Sequence, residues 1–342
     1  MTDIDSYIIL TNRVPYHPYE LKDGYILEAV QPLRKMFKGF SFGIPHHYSA
    51  VMALKWQGDR HPDSYNTYRN LAVFHSFVSD DPETYQYAAE RAIKETCPAS
   101  ELNPVCGSFE GLDFNRFQMP IPILSNEELL DSEEYSDIPF DNGYREINYR
   151  DAFQFFSELE NSEDKNRSQL HNMIYSYVFI RGIWDVSNIS LLYHNDDLSA
   201  TFYLALLESI VGEPPKCDQE FTCIPCNKKL QPHYKIQWRE HITLKLNNIE
   251  TGWGDRYANS IISLRDNRNR FAHGASYKDV SQEMWKIYDK KHYFGKELEE
   301  VDMVKEKELS ALKDNVEILE RTVRKGLVEL FLTRYEQWRQ SR

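Results

Sequence analysis

The sequence predicts two dissimilar parts: an N-terminal α+β domain followed by an all-α helical bundle. Three observations carry that division. Across about the first 120 residues, short runs rich in Tyr, Ile, Val and Phe are separated by Pro, Gly, Asp and His-Pro clusters, the pattern of strands between turns. From Asn148 onward apolar residues recur at helical spacing, which marks amphipathic helices. Between the two, residues 126–141 (NEELLDSEEYSDIPFD) are acidic and poor in core residues, as an interdomain linker is. The expected domains are therefore 1–140 and 141–342.

In the first part, the runs Tyr7–Leu10, Tyr25–Val30, Ala50–Trp56 and Leu71–Val78 read as strands. Asp81–Thr96 reads as a helix that Asp81 or Thr84 caps, with Glu83 in its first turn. Arg116–Leu124 (RFQMPIPIL) reads as a last strand, which Pro120 and Pro122 confine to an edge or a connector. In the second part, a helix over Tyr149–Leu159 carries Phe153, Phe155, Phe156 and Leu159, and a charged break follows at Glu160–Arg167. The next helix, Leu170–Val186, places Ile174, Tyr177, Val178 and Ile183 on one face. Asp196 or Asp197 caps a helix through Leu198, Phe202, Leu206 and Ile210, which Gly212 stops. An irregular cysteine-bearing loop occupies 213–233. Two helices over Tyr234–Ile249 and Asp255–Ala272 precede a long one over Lys305–Trp338. The long helix has the stripe Leu309, Leu312, Val316, Leu319, Val323, Leu327, Leu330 and Phe331 opposite a charged face.

Composition bounds the rest. A chain of 342 residues, 41% hydrophobic and 13% aromatic, is large enough for two or three domains with real cores and is not a disordered polymer. No run of about 18 apolar residues occurs, so no transmembrane helix is expected. The opening Met1-Thr2-Asp3-Ile4-Asp5 lacks the basic stretch of a secretory signal. Five cysteines, an odd number with three clustered, do not suit a disulfide framework, and a reducing cytoplasmic setting is expected. The net charge of −13 is unevenly placed. Residues 1–164 hold 28 acids and 13 Lys/Arg (−15), and residues 165–342 hold 25 acids and 27 Lys/Arg (+2). A nonspecific nucleic-acid binder carries a basic surface, so RNA chemistry on this chain has to come from a local basic patch in the second half. Arg265, Arg268 and Arg270 form such a patch.

That patch belongs to the most informative run, Ser263-Leu264-Arg265-Asp266-Asn267-Arg268-Asn269-Arg270-Phe271-Ala272-His273-Gly274. Residues 265, 269 and 273 are four apart and stack along one helical stripe, with Arg268 one position off it. Gly274 is a helix stop, which places His273 near the C-terminus. There the helix dipole favours the imidazolium while the neighbouring arginines oppose it, and these opposing pulls are expected to suit the histidine to acid–base work. An arginine fork clamps a phosphate beside it.

The run resembles the arginine-to-histidine signature of the HEPN superfamily, over roughly residues 148–342 by helix pattern and this motif. It is similar to the helical domain at the C-terminus of some anti-phage defence proteins, where an unrelated N-terminal domain precedes it. The resemblance says nothing of residues 1–140. It implies a helical bundle that dimerises, so that two motif copies face one cleft, and a metal-free endoribonuclease. His273 would be the general base or acid, Arg268 would bind and polarise the scissile phosphate, and Asn269 would position the pair or the RNA. Arg265 and Arg270 are candidate phosphate contacts beside the motif. The implied setting is phage defence or a toxin, held off until a regulatory protein or phage trigger arrives. The alternative is an inactive dimer of the same fold that scaffolds a partner protein through the acidic first half.

Cys217, Cys223 and Cys226 form a C-x5-C-x2-C run followed by His233. The Cys223–Cys226 spacing lets two thiolates reach one tetrahedral zinc, so a structural Cys3His site is expected. His241 is the alternate fourth ligand. The other reading is three reduced thiols without metal. No cofactor is expected for catalysis: glycine-rich phosphate loops, H-E-x-x-H and G-x-S-x-G are absent from the sequence. Isolated histidines such as His75 and His171 are expected to be ordinary surface or core residues.

Overall fold

The computed structural model describes residues 6–11, 19–21, 24–31, 50–56, 64–80, 103–104, 118–122, 144–186, 196–216, 221–222, 225–226, 229–230, 234–272 and 300–342. Most of these residues are helical. The described residues fall into two compact units. One draws on Met1–Ser125, Glu133–Ser190 and Leu330–Arg342, the other on Asn126–Ser132 and Leu191–Glu329. The boundary expected at residues 140–141 lies within Glu133–Ser190, a range of the first unit. The expected linker 126–141 and the expected helix Asp81–Thr96 lie outside the described residues.

In the first unit, β1 (Ser6–Thr11), β4 (Ala50–Trp56), β3 (Tyr25–Gln31) and β2 (Tyr19–Glu20) pair in that order, all antiparallel, and β5 (Asn103–Pro104) also pairs with β3. β-branched and aromatic side chains favour this pleated conformation. Alternation follows: Tyr25 and Leu27 are buried while Ile26 and Glu28 are half-exposed. Leu27 faces Leu54 across the ladder, and both are fully buried. β6 (Gln118–Pro122) pairs with β7 (Tyr144–Asn148) in a separate ladder of two, consistent with Pro120 and Pro122 at an edge.

Leu71–Val78 corrects the strand expectation, because it belongs to helix α1 (Ser64–Ser79). Every residue from Asn70 to Val78 is buried. A helix buried on all sides shows no 3.6-residue alternation, and a short continuous apolar run is then indistinguishable from a core strand. α1 packs against β6, α2 (Tyr149–Glu160) and α3 (Lys165–Val186). Asn148 caps α2 by accepting from the Asp151 N–H at 3.0 Å. Asp164 accepts from the Asn166 N–H at 2.9 Å, so α3 begins at Lys165 rather than at Leu170 as expected. The core here is aromatic. Phe331 is fully buried, with ring centroids of Phe155 at 5.4 Å, Phe77 at 5.9 Å and Phe74 at 6.2 Å.

Three helices also meet at a polar cluster. Arg69 and Asn70 of α1 donate to the two oxygens of Glu160, at 3.0 and 2.6 Å. His171 of α3 is buried, with its ring 4.7 Å from that of Phe156. Burial holds the imidazole below the usual histidine range and Arg69 adds to this, while Glu160 and Asn172 pull the other way. The sign follows from linkage. Below the ordinary value of about 6.5, the unfolded chain takes up a proton that the folded chain resists, so acidification favours unfolding. Urea melts between about pH 7 and pH 5 should show that His171→Gln loses less stability over this interval than the wild type. Equal losses would mean that His171 does not contribute to acid lability.

The second unit contains α4 (Asp196–Val211), α5 (Trp238–Ile249), α6 (Trp253–Ala272) and the part of α7 (Glu300–Gln340) up to Glu329. α4 ends where expected, at Gly212 with φ +72°. Tyr234 is not helical, contrary to expectation. It bridges to Lys216, and α5 starts at Trp238. α6 starts at Trp253, not Asp255, and its cap is Asn247, whose Oδ1 accepts from the Gly254 N–H at 2.8 Å. A Cβ at Gly254 would lie 2.1 Å from the Thr243 carbonyl oxygen, so only glycine permits this approach of α5 to α6. Val316, Leu319, Val323 and Leu327 of the predicted α7 stripe are buried. The charged face, however, is interrupted: α7 is buried throughout Thr322–Val328, including Arg324 and Lys325. Lys325 pairs with Glu250 and lies 4.4 Å from the Trp253 ring centre, while Trp253 Nε1 donates to Thr322 Oγ1 at 3.1 Å. The buried ammonium thus has a carboxylate and an aromatic face as counter-charges.

Candidate functional site

α6 carries the arginine–histidine run. Trp253, Tyr257, Ala258, Ile261 and Leu264 are buried along one stripe, and α6 packs against α4 and α5. The apolar face therefore fixes how the helix is rotated. The helix continues to Ala272. Arg268, Asn269 and Arg270 thus lie in its last turns, and His273 is the next residue along the chain. The side chains of Arg268, Asn269 and Arg270, and the whole of His273, lie outside the described residues.

Arg265 is described, and it does not stand free. Its guanidinium carbon is 4.7 Å from the centre of the Trp238 ring on α5, within cation–π range. Its Nε is 3.6 Å from Glu208 Oε1 on α4, an ion pair too long for a hydrogen bond. The two side chains are 31% and 33% exposed, so solvent still screens the pair. Trp238 in turn stacks on His241, at 5.6 Å and 30°. His241 Nε2 lies 3.2 Å from the Val211 oxygen and 3.0 Å from the Gly212 oxygen, and so donates to the carbonyls that end α4. Among the described residues, Arg265 Nε and Trp238 Nε1 are buried without a hydrogen-bond partner. Sequence reasoning missed Glu208 and Trp238, since nothing in the chain's local pattern links three separate helices at this point.

The second candidate site is the cysteine loop. β8 (Phe221–Thr222) pairs with β9 (Lys229–Leu230) in a short antiparallel ladder, so residues 223–228 connect two paired strands. Cys226 is exposed in a turn. Cys217, Cys223 and His233 lie outside the described residues. Among the described residues no group of three or more His, Cys, Asp or Glu is placed to hold a metal ion. His241, the alternate ligand, belongs to α5, and its Nε2 is already engaged by the α4 carbonyls.

Among the described residues of the first unit, His75 and His171 are core residues. His75 is fully buried, with Nδ1 3.0 Å from the Tyr149 hydroxyl, and His171 lies in the polar cluster described above. Among the described residues no helix is long and apolar enough to cross a membrane. Comparison of the chain with known protein families, with curated proteins and with solved structures finds no match.

Proposed function

We propose that the protein is a metal-independent endoribonuclease of HEPN type, acting in phage defence or as a toxin. The observation that carries this reading is the run Arg268-Asn269-Arg270-Phe271-Ala272-His273 at the C-terminal end of an amphipathic helix. In the proposed reaction a ribose 2′-hydroxyl attacks the adjacent phosphorus and the 5′-oxygen of the next nucleotide leaves. The products are a 2′,3′-cyclic phosphate and a 5′-hydroxyl. His273 moves the proton and Arg268 stabilises the pentacoordinate oxyanion. Asn269 positions the pair, and Arg270 contacts a neighbouring phosphate. DNA, lacking the 2′-hydroxyl, is inert.

One histidine serves as base or as acid, whereas the reaction needs both. Two chains facing each other supply the pair, so the proposed active form is a homodimer through the C-terminal helices. The buried stripes of α6 and α7 are consumed within the chain. Exposed apolar side chains of this unit include Phe202, Leu244, Met303 and Val304. The test of the reading is incubation of the purified protein with single-stranded RNA and with tRNA in excess EDTA. Cleavage supports the reading. A folded protein that leaves every RNA intact while binding a partner protein would favour the scaffold alternative.

The cysteine loop adds a structural proposal: one zinc per chain held by Cys217, Cys223, Cys226 and His233. The supporting observation is the β8–β9 pairing on either side of Cys223 and Cys226, since a hairpin turn brings two thiolates to one tetrahedral ion. Elemental analysis of protein purified without added metal should find about one zinc per chain, lost in Cys223→Ser together with stability. Fresh, reduced protein free of zinc would leave these residues as plain thiols.

A further inference from the structure

We infer that Arg265 is a positioning residue and not a phosphate contact: with Glu208 and Trp238 it fixes the end of α6 that presents Arg268 and His273. The inference rests on the ribonuclease reading above. Its own observation is that the guanidinium is already engaged. Glu208 of α4 supplies a negative charge at 3.6 Å, and the Trp238 ring of α5 lies 4.7 Å from the guanidinium carbon. A phosphate arriving at Arg265 would have to displace or oppose the Glu208 carboxylate, which is a like charge beside an anionic ligand.

The geometry explains why the end of α6 needs such a tie. The apolar stripe of α6 runs from Trp253 to Leu264, so Arg265 follows directly on the last described apolar anchor. Arg265 and Asn269 are four apart and share a helical face. Holding Arg265 against two other helices sets the rotation and axial position of the turns that follow. The tie is itself anchored. Trp238 stacks on His241, and His241 donates to the Val211 and Gly212 carbonyls, three residues and more beyond Glu208 on the same helix end. Glu208, Arg265, Trp238 and His241 thus link α4, α5 and α6 around one point. The planar guanidinium suits this role, because it can lie flat on the indole while its N–H edge faces the carboxylate. Small displacements of a catalytic pair are costly: an error of about 1 Å can cost about a hundredfold in rate.

The experiment uses full-length protein and a short fluorescent single-stranded RNA, with two readouts. One is the single-turnover cleavage rate constant in EDTA. The other is the slope of log binding constant against log salt, measured on a 2′-deoxy analogue that cannot be cut. Arg265→Gln, Arg265→Lys and Glu208→Gln should each lower the rate constant by about tenfold or more and leave the salt slope unchanged. The Glu208→Gln, Arg265→Gln double variant should lose no more than the worse single variant, because the two residues act as a unit. A phosphate contact behaves otherwise. Its removal makes the salt slope shallower by about 0.7, Lys rescues it, and Glu208→Gln does not mimic it; that result overturns the inference. Unchanged rate and slope in all variants overturn it as well. A wild type that neither binds nor cuts RNA overturns the ribonuclease reading itself, and this inference with it.

Discussion

Replacing His273 or Arg268 by alanine should remove RNA cleavage while leaving the fold intact. A positioned acid–base group contributes about 10²–10⁴-fold, and loss of an oxyanion-stabilising group about 10²–10³-fold. Either variant should therefore fall to the background of the assay. Neither change should disturb the core, since the stripe that anchors α6 is Trp253, Tyr257, Ala258, Ile261 and Leu264. The check is cleavage of labelled RNA in EDTA beside circular dichroism and thermal melts. With the proposed dimeric site, mixing wild type with His273→Ala subunits should lower activity more than dilution alone does. Full activity in both single variants would remove the assignment of the motif.

The largest effect on stability is expected at Phe331. This ring is fully buried and meets Phe155, Phe77, Phe74 and Tyr335, with centroids between 5.4 and 6.2 Å. Those partners come from α1, α2 and α7, so the cavity left by Phe331→Ala borders three elements that cannot all collapse into it. Truncation of a core phenylalanine costs about 3–5 kcal/mol, a large part of a domain's total stability of about 5–15 kcal/mol. Urea denaturation should show the midpoint falling with little change in slope. Phe331→Leu, which keeps most of the volume, should cost less than half as much. A loss in Phe331→Ala below about 1 kcal/mol, the middle of the range for ordinary substitutions, would contradict the packing described.

What the sequence made legible was what local chemistry decides. β1, β3 and β4 were readable as short apolar runs set between Pro, Gly, Asp and His-Pro clusters. α2 was readable through its Phe spacing, and the end of α4 through Gly212. α1 was not readable: the burial of Asn70 through Val78 on every side erased its period. The charged face assigned to α7 is interrupted for a related reason, since Lys325 is buried against Glu250 and Trp253, partners that no local pattern reveals. Of the candidate site, the position of the motif at the end of a helix was legible from an apolar stripe and Gly274. The state of Arg265 was not. A basic cluster in sequence implied a free cation, and the fold instead set a carboxylate from α4 and an indole from α5 against it.

The most direct test of the central claim is the chemistry of the cut ends. RNA incubated with the purified protein in excess EDTA should yield fragments ending in a 2′,3′-cyclic phosphate and starting with a 5′-hydroxyl, identified by mass spectrometry. A cut that needs an added divalent metal, or leaves a 5′-phosphate and a 3′-hydroxyl, would contradict proton transfer by His273 and charge stabilisation by Arg268.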